Sequence, residues 1–277
     1  VFVVSMMAFG FAFLYVPIVS MIVFSFNNSR LVTVWDAPNS PTLRWYGELF
    51  RNEQILGAAW LSIRIAAMSA TGAVVLGTLA GLVLARFGPF RGRALLSGMT
   101  TAPLVMPEVI TGLSLLLLFV SLEQLIGWPA MRDAATITIA HITFSMAYVT
   151  IVVQSRLAGF DNSLEEAALD LGARPAKVFF RITLPLIVPA IMSGWLLAFT
   201  LSWDDVVVSQ FVAGPGSTTL PMVIFSKVRL GVSPDVNALA TIMVLIVATG
   251  VVASAFWMRR QERRREREMQ MAAAANK

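Results

Sequence analysis

Glu166-Ala-Ala-Leu-Asp-Leu-Gly172, then nine residues, then Ile182-Thr-Leu-Pro185, is the one long polar loop on its side of an otherwise apolar chain. Asp161-Asn162-Ser163 ahead of it are good helix N-cap residues. They predict a helix over Leu164–Leu171, with Glu165 and Glu166 near its positive end, where acids are favourable. Leu164, Ala167, Ala168 and Leu171 share one face at i, i+3, i+4, i+7 spacing. Gly172 stands where a left-handed C-cap is expected. Pro175 restarts a helix at its first position, where the missing N–H costs nothing. The segment therefore reads as a short helix–turn–helix lying across the membrane surface. Its small residues Ala167, Ala168 and Gly172 let a partner protein come close. A plain amphipathic surface helix is the alternative.

The surrounding chain reads as membrane-embedded. Of its 277 residues 57% are hydrophobic and 13% charged, against about 45–50% and 25% in soluble domains. The mean hydropathy is +0.75. Six apolar stretches are long enough to cross a bilayer, approximately 3–26, 56–86, 95–121, 135–156, 186–211 and 238–258, which takes about 20 residues. The first exceeds the short apolar core of a signal peptide and has no cleavage site after it. Because the numbering starts inside it without methionine, a short leading segment is expected to be missing. With no cysteine and one histidine, neither disulfides nor a metal site are expected. The fold class is all-α, a single polytopic domain over 1–277 with no internal repeat.

Basic residues orient the spans. One side carries Arg86, Arg91, Arg93, Arg156, Arg174, Lys177, Arg181, the run Arg259–Arg267 and Lys277. The other carries Arg30, Arg44, Arg51, Arg132, Lys227 and Arg229. The richer side is cytoplasmic by the positive-inside rule, which places both termini and the loop 157–185 inside. The basic tail reads as a solvated helix end near anionic headgroups. Outside, Arg44-Trp45-Tyr46-Gly47-Glu48-Leu49-Phe50 reads as a short interfacial helix, with aromatics at headgroup depth as anchors and some contact to an external partner.

Within the spans, Ala73, Gly77 and Gly81 recur every fourth residue, a face that lets another helix approach closely. Pro103 and Pro107 bend the third span. Three acids lie at membrane depth: Glu108, Asp204 and Asp205. Such residues cost about 2.5–3.5 kcal/mol on insertion and normally face a cavity or partner. Arg64 is the one base at depth, so the interior leans acidic and suits a cationic substrate. Adjacent residues diverge by about 100° on a helix, so one aspartate faces the path while the other pairs with Arg64 or caps a kinked backbone. The alternative is that all three acids are structural. Trp195, Phe199 and Trp203 recur at i+4. Trp203 is a path candidate through cation–π contact, with helix packing as the other reading. His141 and Tyr148 read as hydrogen-bonded packing residues.

The complete pattern Glu166-Ala167-Ala168, three residues, Gly172, nine residues, Ile182, one residue, Leu184-Pro185 resembles the permease subunits of type I binding-protein-dependent ABC importers. Further likeness to the second permease of putrescine/spermidine transporters covers most of the chain. It includes Leu31–Trp35, Arg44–Leu49, Ala102–Pro107 through Gly112–Leu115, Gly194–Ser202, Asp204-Asp205 and Gly214–Pro221. Relatives often have Asp at Glu108 and Leu at Trp203. The resemblance implies a non-catalytic membrane subunit that forms half of the path for a polyamine. It also implies a homologous permease, two ATPase subunits and a periplasmic binding protein as partners, in a bacterial inner membrane. Glu166, Ala167, Ala168, Gly172, Ile182, Leu184 and Pro185 would then couple the chain to the ATPase. ATP and magnesium would be bound there and no cofactor here, in keeping with the absence of a Gly-x4-Gly-Lys-Ser/Thr loop. The competing readings are an importer of another cationic or neutral solute and a proton-coupled secondary transporter. The latter would leave the Glu166–Pro185 pattern unexplained. A hydrolase lacks a Gly-x-Ser-x-Gly partner for its sole histidine.

Overall fold

The computed structural model describes residues 2–31, 34–231 and 233–275, whose regular elements are all helices, with no strand among them. In order the helices are α1 (Phe2–Phe24), α2 (Arg44–Arg51), α3 (Glu53–Arg86), α4 (Arg93–Val105), α5 (Glu108–Ile126) and α6 (Ala134–Ala158). There follow α7 (Ser163–Asp170), α8 (Pro175–Val178), a π-helical turn (Phe179–Thr183), α9 (Leu184–Asp204), α10 (Val207–Val212), α11 (Leu220–Leu230) and α12 (Pro234–Ala275). Five described segments are long and apolar enough to span a membrane, and Pro234–Gly250 adds a shorter apolar stretch. The chain forms two compact units, 1–53 with 227–277, and 54–226.

The first unit joins α1, α2 and the start of α12. Asn27 organises its loop. The Asn27 amide nitrogen donates to Val34 O at 2.7 Å, and its side-chain oxygen accepts from the Asp36 N–H at 2.9 Å and the Ser40 hydroxyl at 3.1 Å. Trp45, expected at headgroup depth, is buried and donates its indole N–H to Asn27 O at 2.6 Å. An indole that finds an internal acceptor loses less by leaving water, so α2 is held from within while Phe50 remains exposed. Lys227 pairs with Asp235 in the first turn of α12. Apart from Arg260, the run Arg259–Arg267 lies outside the described side chains, and with it the expectation for the tail.

In the second unit α6 is central. Its start is fixed by a capping box: Asp133 accepts from the Ala135 and Thr136 N–H groups, and the Thr136 side chain satisfies the Asp133 N–H. One core layer gathers Ile65, Phe119, Ile137 and Val208, the other Ala73, Val149, Val153 and Ile187. The small-residue face of α3 meets α6. A Cβ on Gly77 would lie 2.7 Å from Val149 Cβ and 2.8 Å from Met146 O, and one on Gly81 3.1 Å from Val153 Cβ. The backbones thus pack closer than larger residues allow.

Two predicted spans are interrupted. The stretch 95–121 is two helices. Pro107 lacks an N–H and forces Met106 out of the helical region, to φ −77°, ψ 135°. The stretch 186–211 breaks at Asp205, which is extended (φ −65°, ψ 128°).

Candidate functional site

The two breaks face one cavity of about 490 Å³, within the ~300–1,000 Å³ of small-molecule sites. Pro107 and Glu108 line it from the α4–α5 break, and Asp204 and Asp205 from the α9–α10 break. Phe144 and Tyr148 line it from α6. Among the described residues, the lining includes three acids and two aromatic rings, and no lysine, arginine or histidine. Glu108 is exposed in the first turn of α5, where the helix dipole favours its negative charge.

The paired aspartates have separate surroundings. Asp204 is exposed, whereas the Asp205 side chain is 5% accessible. The Asp205 carboxylate accepts from the Val208 N–H at 3.1 Å and the Ser209 N–H at 2.7 Å. It thereby satisfies the first free donors of α10. His141 Nε2 lies 3.2 Å from Asp205 Oδ2 and 3.1 Å from Ser209 Oγ, and its Nδ1 lies 2.6 Å from Ser202 Oγ. A ring with its proton on Nε2 donates to the carboxylate and accepts from Ser202. Of the two roles open to the second aspartate, Asp205 takes the capping of a kinked backbone, with His141 as its partner, and Arg64 is exposed.

The other end of α10 is held as firmly. Arg132 Nη1 donates to Phe211 O at 3.1 Å and the Thr136 hydroxyl to Val212 O at 2.8 Å, filling carbonyls that a helix end leaves open. Gly214 passes so close to Arg132 that a Cβ would fall 1.8 Å from its carbonyl oxygen. Gly112 of α5 receives the Phe211 ring, 2.6 Å from where a Cβ would be. Trp203 stacks on Phe199, with centroids 6.2 Å apart and planes at 9°. It is not among the cavity-lining residues.

The 157–185 segment has the expected helix–turn–helix, with corrections. The helix is Ser163–Asp170, and Asn162 makes no side-chain cap bond. Asp161 accepts from the Ser163 N–H at 2.9 Å instead, and Ser163 holds this carboxyl below its ordinary range through its N–H and hydroxyl. Gly172 is left-handed (φ 81°), and Ala173 N donates to Ala168 O at 3.1 Å, closing the helix as a glycine C-cap does. Pro175 opens α8. Glu166, Ala167 and Gly172 are exposed, Ala168, Ile182 and Leu184 half-buried, and Pro185 exposed. Leu171 is 89% exposed.

Sequence reasoning did not place Phe144 and Tyr148 at the cavity, nor His141 beneath it. The signal was present: the three lie at i, i+3 and i+7 along α6, one helix face.

Apolar spans, two of them broken at one acidic cavity, and an exposed polar helix, α7, ahead of the span that begins at Pro175 are the marks of a membrane transport subunit. The chain belongs to the binding-protein-dependent transport system inner membrane components, whose pattern matches residues 73–267. It is 57% identical over 265 residues to the putrescine transport system permease protein PotI of Escherichia coli K12, covering 95% of this chain and 92% of that protein. It is 44% identical to the spermidine/putrescine permease PotC of the same strain over 88% of this chain and 89% of that one. In fold it resembles a chain of a bacterial ABC transporter involved in alginate import, with TM-score 0.69 and 16% identity over 91% of this chain and 94% of that one. A second crystal structure, of the alginate transporter with its substrate-bound periplasmic protein, gives TM-score 0.68 at 18% identity over 92% and 91%.

Proposed function

We propose that this chain is the permease of an ATP-driven polyamine importer and forms half of its translocation path. The observation that carries the proposal is the cavity at the two breaks. Acids and aromatic rings line it with no base, a surface that attracts an alkylammonium chain by charge and by cation–π contact. Glu108 and Asp204 take successive amino groups, and Asp205 holds the break that positions Asp204. The relatives PotI and PotC transport putrescine and spermidine/putrescine by name. An acidic polysaccharide such as alginate would be repelled here, so the likeness to its importer extends to fold and not to cargo.

In this reading α7 docks on a separate ATPase. Glu166, Ala167, Ala168 and Gly172 offer it a close approach, and the exposed Leu171 gives it apolar surface. ATP and magnesium belong to that subunit. A homologous permease completes the path, a periplasmic binding protein delivers the polyamine, and both termini lie in the cytoplasm, as the basic residues indicate. The test is uptake of labelled putrescine into proteoliposomes holding the assembled complex. Uptake is expected to require ATP and to ignore a proton gradient; proton-driven uptake without ATP would overturn the proposal.

A further inference from the structure

Arg86, the last residue of α3, reaches across to the α7 segment. Its Nη2 donates to Glu165 Oε1 at 3.1 Å and its Nη1 donates to Asn162 Oδ1. The guanidinium lies over the Phe160 ring, 4.9 Å from the centroid. The Thr183 hydroxyl, at the end of the π-helical turn, donates to the same Glu165 oxygen at 2.5 Å. One carboxylate thus ties together the end of α3, the start of α7 and the turn that leads into α9. Arg86 and Glu165 are each 22% exposed, and Thr183 is 4% exposed.

Apolar packing does not do this job. Helix α7 has no buried residue. Between it and the spans lies an open, mostly apolar groove of about 380 Å³, bounded by Leu82, Leu169 and Phe179 and also by Arg86, Glu165 and Thr183. With no buried residue to anchor it, α7 passes on displacement through its polar ties to the ends of α3 and α9. The neighbouring acids divide the work: Glu165 turns to Arg86 and Thr183, while Glu166 is exposed. The turn at Thr183 is π-helical, an element found mostly as single turns and frequently at functional sites.

We propose that Arg86, Glu165 and Thr183 form the joint that delivers movement of α7 to the ends of α3 and α9. This rests on the reading of α7 as the ATPase-docking helix. The three are positioning residues: they touch neither cargo nor nucleotide. With the joint broken, α7 shifts without carrying the spans, and ATP hydrolysis loses its dependence on the binding protein.

The experiment measures ATP hydrolysis by the assembled complex in proteoliposomes, with and without putrescine-loaded binding protein. Arg86→Ala and Glu165→Gln are each expected to lower the stimulation at least ~5-fold, the small end of coupling between sites. Their double variant should lose little more, as residues of one network do. The exchange Arg86→Glu with Glu165→Arg is expected to recover part of the stimulation, which a packing defect would not do. Where Arg86→Ala fails to assemble, Thr183→Val keeps the ion pair and is expected to give a partial loss. Glu166→Lys separates the two ideas. If it abolishes stimulation while the Arg86, Glu165 and Thr183 variants retain it, the joint is wrong and the docking reading stands. If none of the variants, Glu166→Lys included, alters stimulation, both are wrong.

Discussion

Two neighbouring aspartates carry different duties because a helix ends between them. Asp204 closes α9 at the cavity, while Asp205 turns inward to cap α10 and meet His141. Their amide variants should therefore fail differently. Asp204→Asn is expected to assemble normally and lose most putrescine uptake, as measured by initial rates. Asp205→Asn is expected to lower the melting temperature of the purified complex: its one oxygen still accepts, but its NH2 cannot replace the second acceptor that the Val208 and Ser209 N–H groups and His141 use, and an unsatisfied buried partner costs about 1–3 kcal/mol. The sequence offered capping of a kinked backbone as one of two roles for the second aspartate, beside pairing with Arg64. It did not disclose His141 as the partner, because periodicity reports the face a residue occupies and not what stands opposite it 64 positions away. Arg64 was the partner suggested by charge alone, yet the carboxylate finds its partners in the His141 ring and the Val208 and Ser209 N–H groups.

Among elements, the breaks matter most. Pro107 announces its break in the sequence, through the N–H it lacks and the conformation it imposes on Met106. The break at Asp205 has no proline or glycine and comes from side-chain capping, so it read as an unbroken span. Gly112 and Gly77 make the close packing possible, and both predict overpacking effects. Gly112→Ala drives a Cβ into Phe211 and should destabilise by about 1–3 kcal/mol, reducing uptake as α10 shifts. Gly77→Leu, against Val149 and the Met146 carbonyl, should reduce recovery of folded protein from the membrane, checked by detergent-stable yield. The α7 turn was legible through its caps and Gly172, whereas the π-helical turn after α8 leaves no signature in residue type. Trp45 was misplaced because an amphipathic aromatic pattern looks the same whether the indole finds lipid headgroups or the Asn27 carbonyl.

For the whole molecule, membership of the transport family accounts for a chain that has broken spans and an exposed helix closed by a glycine C-cap, in a sequence without a Gly-x4-Gly-Lys-Ser/Thr stretch. The exposed Leu171 gives a prediction at this scale. Leu171→Asp is expected to leave the membrane fold intact but to reduce co-purification of the ATPase, read from subunit ratios on a gel. The central claim is that the cavity between the breaks conducts a cation. The most direct measurement is the initial rate of ATP-driven putrescine uptake by complexes carrying Glu108→Gln together with Asp204→Asn, at matched assembly. The account predicts a loss of at least ~10-fold, about 1.4 kcal/mol. Uptake at the unaltered rate with both acids neutralised would contradict it.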